Sequence, residues 1–115
     1  VLEEIKYVNE YRKEAGLNPL EYDESLVLHA NVKVLDMYYG DYFSHDSRDG
    51  KRFGYLGKEL GINVWGENIA YGYGTAKAVT IGWYNSPGHR ANMLTSDYTK
   101  IGVSYKNGYW VQNFR

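Results

Sequence analysis

Ile101-Gly102-Val103-Ser104-Tyr105-Lys106-Asn107-Gly108-Tyr109-Trp110-Val111-Gln112-Asn113-Phe114 is the stretch that decides the fold. Ile101, Val103 and Tyr105 alternate with smaller or polar residues, and Trp110, Gln112 and Phe114 do the same after Asn107-Gly108. Asn-Gly between two alternating runs marks a two-residue β-hairpin, because a type I′ turn needs positive φ at both central positions. That loop predicts the register: Tyr105 opposite Trp110, Val103 opposite Gln112, Ile101 opposite Phe114. The face so formed is largely apolar and calls for a layer of helices against it.

Working outward, the N-terminal half supplies helices. Val1, Ile5, Val8, Tyr11 and Ala15 recur at helical spacing, Gly16 can stop that helix, and Pro19 follows. Asp23 reads as the N-cap of a second helix with an inner stripe of Val27, Ala30, Val34 and Met37. Leu28, Val32 and Leu35 add a second apolar face, which predicts cover on both sides, and Gly40 ends the helix. Residues 41–52 are polar and turn-rich, which predicts a loop. Phe53, Leu56 and Leu60 predict a short helix closed by Gly61. Residues 62–73 read as a strand with Glu67, Ile69, Tyr71 and Tyr73 on one face and Asn68 and Ala70 on the other. Thr75 caps a further helix through Ala76, Val79 and Trp83, which Pro87 terminates. Helices, a strand, a helix and a hairpin together predict an α+β layered domain around an antiparallel sheet of about three strands.

With 115 residues the chain fits a single domain spanning residues 1–115 and can bury a core without staples. A 43% hydrophobic and 23% charged composition is that of a globular protein. The formal net charge of −1 argues against an electrostatically driven nucleic-acid or membrane binder. No apolar run is long enough to span a bilayer. The opening Val1-Leu2-Glu3-Glu4 has neither a basic nor an apolar leader region, as expected of a mature product or an excised domain. Cysteine is absent, which removes disulfides, thiolate nucleophiles, iron–sulfur clusters and Cys-type zinc sites. A metal would have to use His, Asp, Glu or backbone oxygen.

Three histidines narrow the chemistry further: His29, His45 and His89. His45 stands in the polar loop Phe43-Ser44-His45-Asp46, open to solvent or ligand. Glu67 begins a mostly apolar strand, where a carboxylate is exposed, paired or functional. Its plainer role is a structural glutamate bonded to backbone amides. His89 follows Ser86-Pro87-Gly88, and a fixed turn there either presents its imidazole or lets it cap the preceding helix. His29 lies mid-helix, off the inner stripe, and reads as exposed and without a role. There is no His-Glu-x-x-His, no Gly-x-Ser-x-Gly elbow and no phosphate-binding glycine loop. Ser86 lies three residues before His89, but no orienting acid or oxyanion motif accompanies the pair. The thirteen tyrosines are expected to pack core edges with hydroxyls outward, a surface also suited to a flat or sugar-like ligand.

Gly66-Glu67-Asn68-Ile69-Ala70, Trp83, Gly88-His89-Arg90-Ala91-Asn92-Met93-Leu94, Ile101-Gly102-Val103 and Trp110-Val111-Gln112-Asn113-Phe114, in this order, resemble the CAP superfamily. Its members are cysteine-rich secretory proteins, antigen 5 and plant pathogenesis-related proteins. Phe43-Ser44-His45, Asn9-x-x-Arg12 and Leu20 fit as well, and the style is that of the bacterial SCP-like extracellular branch. The resemblance implies a three-layer α-β-α sandwich with a central cleft where two histidines and two glutamates converge. Here His45, Glu67 and His89 match three of those positions. The fourth falls at Ser86, beside the uncharged Asn85, so the paired carboxylates are lost.

The remaining His₂-Glu set implies two alternatives. One is a divalent-metal site, zinc or similar, with His45 and His89 as ligands and Glu67 as a third ligand or an acceptor orienting a histidine. The other is a metal-free polar cluster. Three functions are expected to compete. The first is a secreted or cell-surface module whose cleft (His45, Glu67, Asn85, Ser86, His89) binds a small molecule, lipid, glycan or protein. The second is a metal-dependent hydrolase or peptidase with Glu67 as base. The third is a structural interaction domain. The lost glutamate favours the first or third.

Overall fold

The structure is a computed structural model that describes residues 2–115. Val1, expected at the head of the first helical stripe, lies outside the described residues. The elements run α1 (Leu2–Glu14), β1 (Glu21–Tyr22), α2 (Glu24–Gly40), α3 (Tyr55–Leu60), β2 (Gly66–Tyr71), α4 (Ala76–Tyr84), α5 (Pro87–Met93), β3 (Lys100–Lys106) and β4 (Tyr109–Phe114).

The β3–β4 hairpin has the expected register, with Tyr105 opposite Trp110, Val103 opposite Gln112 and Ile101 opposite Phe114. Asn107 (φ 46°) and Gly108 (φ 90°) both take the left-handed conformation that the turn requires. The sheet order is β1-β3-β4-β2, with β2 antiparallel to β4. The expected three strands become four, because the two-residue β1 adds parallel to β3. Asn9 on α1 holds that segment through both backbone groups of Leu20, so a two-residue strand is fixed by a side-chain clamp.

Strand alternation sends side chains to two cores. On one face Ala70, Ile101, Val103, Trp110 and Phe114 meet Ile5 and Val8 of α1, Val79 and Trp83 of α4, and Met93 of α5. On the other face Ile69 and Val111 meet Ala30, Val34 and Met37 of α2. Helices on both faces of the sheet make the expected α-β-α sandwich. A Cβ at Gly102 would collide with the backbone of Leu26 and Val27, which shows how closely α2 lies on β3.

Several local expectations change. Asp23 caps α2 as expected, accepting from the amides of Ser25 and Leu26. The buried stripe, however, runs through Leu26, Ala30, Val34 and Met37, with Val27 only half-buried. The second apolar face is mostly uncovered: Leu28 and Leu35 are exposed and Val32 is half-buried, since only one side of α2 meets the sheet. Ala15 lies beyond α1 and is exposed. Pro87 does more than end α4, because it opens α5 at the first helical position with Ser86 at the N-cap. Arg12 is fully buried and donates to the carbonyls of Asn18, Met93, Thr95 and Tyr98, tying α1 to the segment after α5. No described helix is long and apolar enough to cross a membrane.

Candidate functional site

His45 projects from the loop between α2 and α3, and four hydrogen bonds shape that loop. Lys33 of α2, only 1% exposed, donates from Nζ to the carbonyl of His45 (3.1 Å) and to the Tyr42 hydroxyl (3.0 Å). The Asp46 amide donates to Ser44 Oγ at 3.1 Å. The Phe53 amide donates to Asp46 Oδ1 at 2.7 Å. The imidazole of His45 therefore stands on a braced backbone, edge-on to the Phe53 ring at 6.0 Å.

Glu67 is the second residue of β2 and points to the α2 face. Its side chain is buried, and both oxygens are engaged: Oε1 with His45 Nδ1 at 2.9 Å, Oε2 with Asn113 Nδ2 at 2.9 Å. Asn113 is the direct cross-strand neighbour of Glu67 on β4. Its Oδ1 meets Nδ1 of His29 at 2.8 Å. His29 is 2% exposed, not exposed as the sequence predicts. It lies one residue before Ala30 on the side of α2 that covers the polar end of β2 and β4, and burial pushes its pKa down.

His89 sits on α5, not on a bare turn. Its Nδ1 lies 2.9 Å from Ser86 Oγ, a local contact across one helical turn with no acid behind it. Burial, and next the nearby His45, push its pKa down. Asn68 donates to the His89 carbonyl at 3.1 Å and to Gln112 Oε1 at 2.9 Å. Asn92 donates to the Glu67 carbonyl and to Asn68 Oδ1, both at 3.1 Å, and accepts from the Tyr98 hydroxyl at 3.0 Å.

His45, Phe53, Trp65, Gly66, Glu67 and Asn92 line an open cleft of about 310 Å³. Ser86, His89 and Asn85 do not line it, and Asn85 is exposed at the end of α4. Among the described residues no three His, Asp or Glu side chains form a group able to hold a metal ion. Glu67 accepts from both His45 and Asn113, the histidine-orienting role expected as the alternative to direct ligation, and His89 directs its Nδ1 to Ser86. A larger cleft of about 640 Å³ lies beside the same loop, between Asp36, Tyr42, Arg48, Lys51, Tyr55 and Glu59. Its charges are mostly satisfied internally, Lys51 by Glu59 at 3.0 Å and Asp36 by the Tyr42 hydroxyl at 2.5 Å.

Sequence reasoning misses Lys33, Asn113 and Asn92 as parts of this site. Only Asn113 carries a usable signal, since alternation puts it on the face opposite Gln112, but the pairing of β2 with β4 must be known to use it.

The chain matches the cysteine-rich secretory protein (CAP) family over residues 5–114, and it belongs to that family. It is 40% identical over 115 residues to YkwD of Bacillus subtilis (strain 168), covering 96% of this chain and 44% of YkwD. The membrane protein YlbC of the same organism is also 40% identical, with 96% of this chain and 32% of YlbC covered. The chain thus spans less than half the length of either relative. Among solved structures, an extracellular SCP-domain protein from Bacillus anthracis str. Ames superposes with a TM-score of 0.92 at 31% identity, over 98% of this chain and 39% of that one. The relatives are bacterial, and the chain is a bacterial CAP domain without cysteine.

Proposed function

We propose that this CAP domain is an extracellular recognition module whose His45 cleft receives the sugar units of a surface glycan. One observation carries the reading. His45, its side chain 44% exposed, stands on a buried carboxylate between two exposed aromatic residues, Phe53 and Trp65. Aromatic faces bury the C–H faces of sugar rings, while a fixed imidazole offers a directional polar contact. An extracellular setting is supported by the B. anthracis neighbour, described as an extracellular protein, and by an outer surface protein of Borrelia burgdorferi, which shares the fold at a TM-score of 0.80.

Calorimetry with chitotetraose as the probe tests this reading. Saturable binding that weakens about tenfold (about 1.4 kcal/mol) in both His45→Ala and Trp65→Ala supports it. Binding unaffected by either substitution, or none at millimolar probe, contradicts it.

A hydrolytic reading has one observation in its favour: a buried carboxylate orients the cleft imidazole, the arrangement of a general base. In that reading His45 moves the proton and Glu67 orients it, because Glu67 is buried with both oxygens bonded. Esterase and peptidase panels with a Glu67→Gln control decide it, since activity that survives the substitution excludes this pair.

A further inference from the structure

The hydrogen bonds behind Glu67 have fixed directions. A carboxylate only accepts, so Asn113 turns its Nδ2 to Glu67 and its Oδ1 away. An amide oxygen also only accepts, so the hydrogen of His29 is on Nδ1. On the other oxygen of the same carboxylate, His45 must likewise donate from Nδ1. Neutral His45 then carries its lone pair on Nε2.

We infer that His29 and Asn113 are positioning residues of the cleft: they hold Glu67 so that His45 stays in the Nδ1–H tautomer and offers Nε2 as a hydrogen-bond acceptor. The ligand group selected at His45 is therefore a donor, a hydroxyl or an amide N–H. This deepens the recognition reading above and rests on it for the ligand, but not for the tautomer. Two features support the relay. His29 and Asn113 are both buried, where a polar pair without a purpose costs stability. Asn113 has no freedom to flip, because its two ends face groups of opposite need. Burial also disfavours the charged form of His29, so His29 brings no second cation to compete for Glu67.

The test needs no ligand. Long-range proton–nitrogen NMR of the imidazoles at pH 8 reads the tautomer of each histidine, with His45→Ala supplying the assignment. The wild type is expected to show His45 protonated on Nδ1 and bare on Nε2. His29→Leu and Asn113→Leu are expected to shift His45 toward the Nε2–H form that free histidine prefers. His29→Gln, which keeps a donor for Asn113 Oδ1, is expected to restore the wild-type pattern. An Nε2–H wild type overturns the inference, as does an unchanged His45 in folded His29→Leu and Asn113→Leu. If both leucine variants fail to fold, the wild-type spectrum decides. Failure of chitotetraose to bind bears on the recognition reading and leaves the tautomer result standing.

Discussion

Lys33 Nζ donates to the backbone carbonyl of His45, so a buried cation of α2 sets the backbone from which the cleft histidine projects. The same ammonium also reaches the Tyr42 hydroxyl and lies 4.8 Å from the centre of the Tyr42 ring. Lys33→Met keeps the stem and removes the donors. A loss of about 1–3 kcal/mol is expected in urea unfolding. Amide exchange is expected to quicken across residues 42–46 first, because the loop loses its tether before the core does.

Glu4 gives stability a downward slope at alkaline pH. It is fully buried on α1, with Oε1 bonded by Gln112 and Oε2 without a partner among the described residues. Burial raises its pKa from 4.5 to about 8. The folded state holds this proton more tightly than the unfolded state does. The associated stability is therefore full below pH 4.5 and is lost as pH rises toward 8. The fall amounts to about 5 kcal/mol at most. Glu4→Gln is expected to flatten the slope and to be more stable than wild type at pH 9, as read by denaturant midpoints.

His29 acts on the acid side. Its folded pKa is pushed below the ordinary 6.5, so the unfolded state takes up the proton first. Stability is present above pH 6.5 and is lost as pH falls through that value toward the depressed one. His89 has the same sign. Denaturant midpoints at pH 7.5 and pH 5 are expected to differ less in His29→Gln than in wild type.

Gly102 is required by close approach. Alanine there would drive a Cβ into the backbone of Leu26 and Val27, which no rotamer relieves. Gly102→Ala is expected to cost about 1–3 kcal/mol in thermal or urea unfolding. Gly88, with open space around its missing Cβ, is the control, and Gly88→Ala is expected to cost far less.

Most of the fold is legible in the chain because it is written in short-range chemistry. Asn107-Gly108 sets the hairpin register, Asp23 and Thr75 set two helix starts, and alternation divides β2 between the two cores. What escapes is long-range. β1 is two residues held by Asn9 and paired with a strand far along the chain, so it has no periodicity to read. Ser86-Pro87 carries the signal of a helix start, but it also fits the end of α4. At the site, His45 and Glu67 are visible as polar residues in telling places. His29 and Lys33 are not, because a helix with apolar residues on two sides does not reveal which side meets the sheet. Leu28 and Leu35 face outward where His29 and Lys33 go in, and only the tertiary register settles that.

Chemical-shift mapping on the nitrogen-labelled domain with chitotetraose tests the central claim most directly. Saturable shifts confined to His45, Phe53, Trp65 to Glu67 and Asn92, and lost in His45→Ala, are the predicted result. Shifts centred instead on the Asp36–Lys51 cleft or on the exposed tyrosines Tyr39, Tyr71 and Tyr105, or no shifts at all, would contradict it.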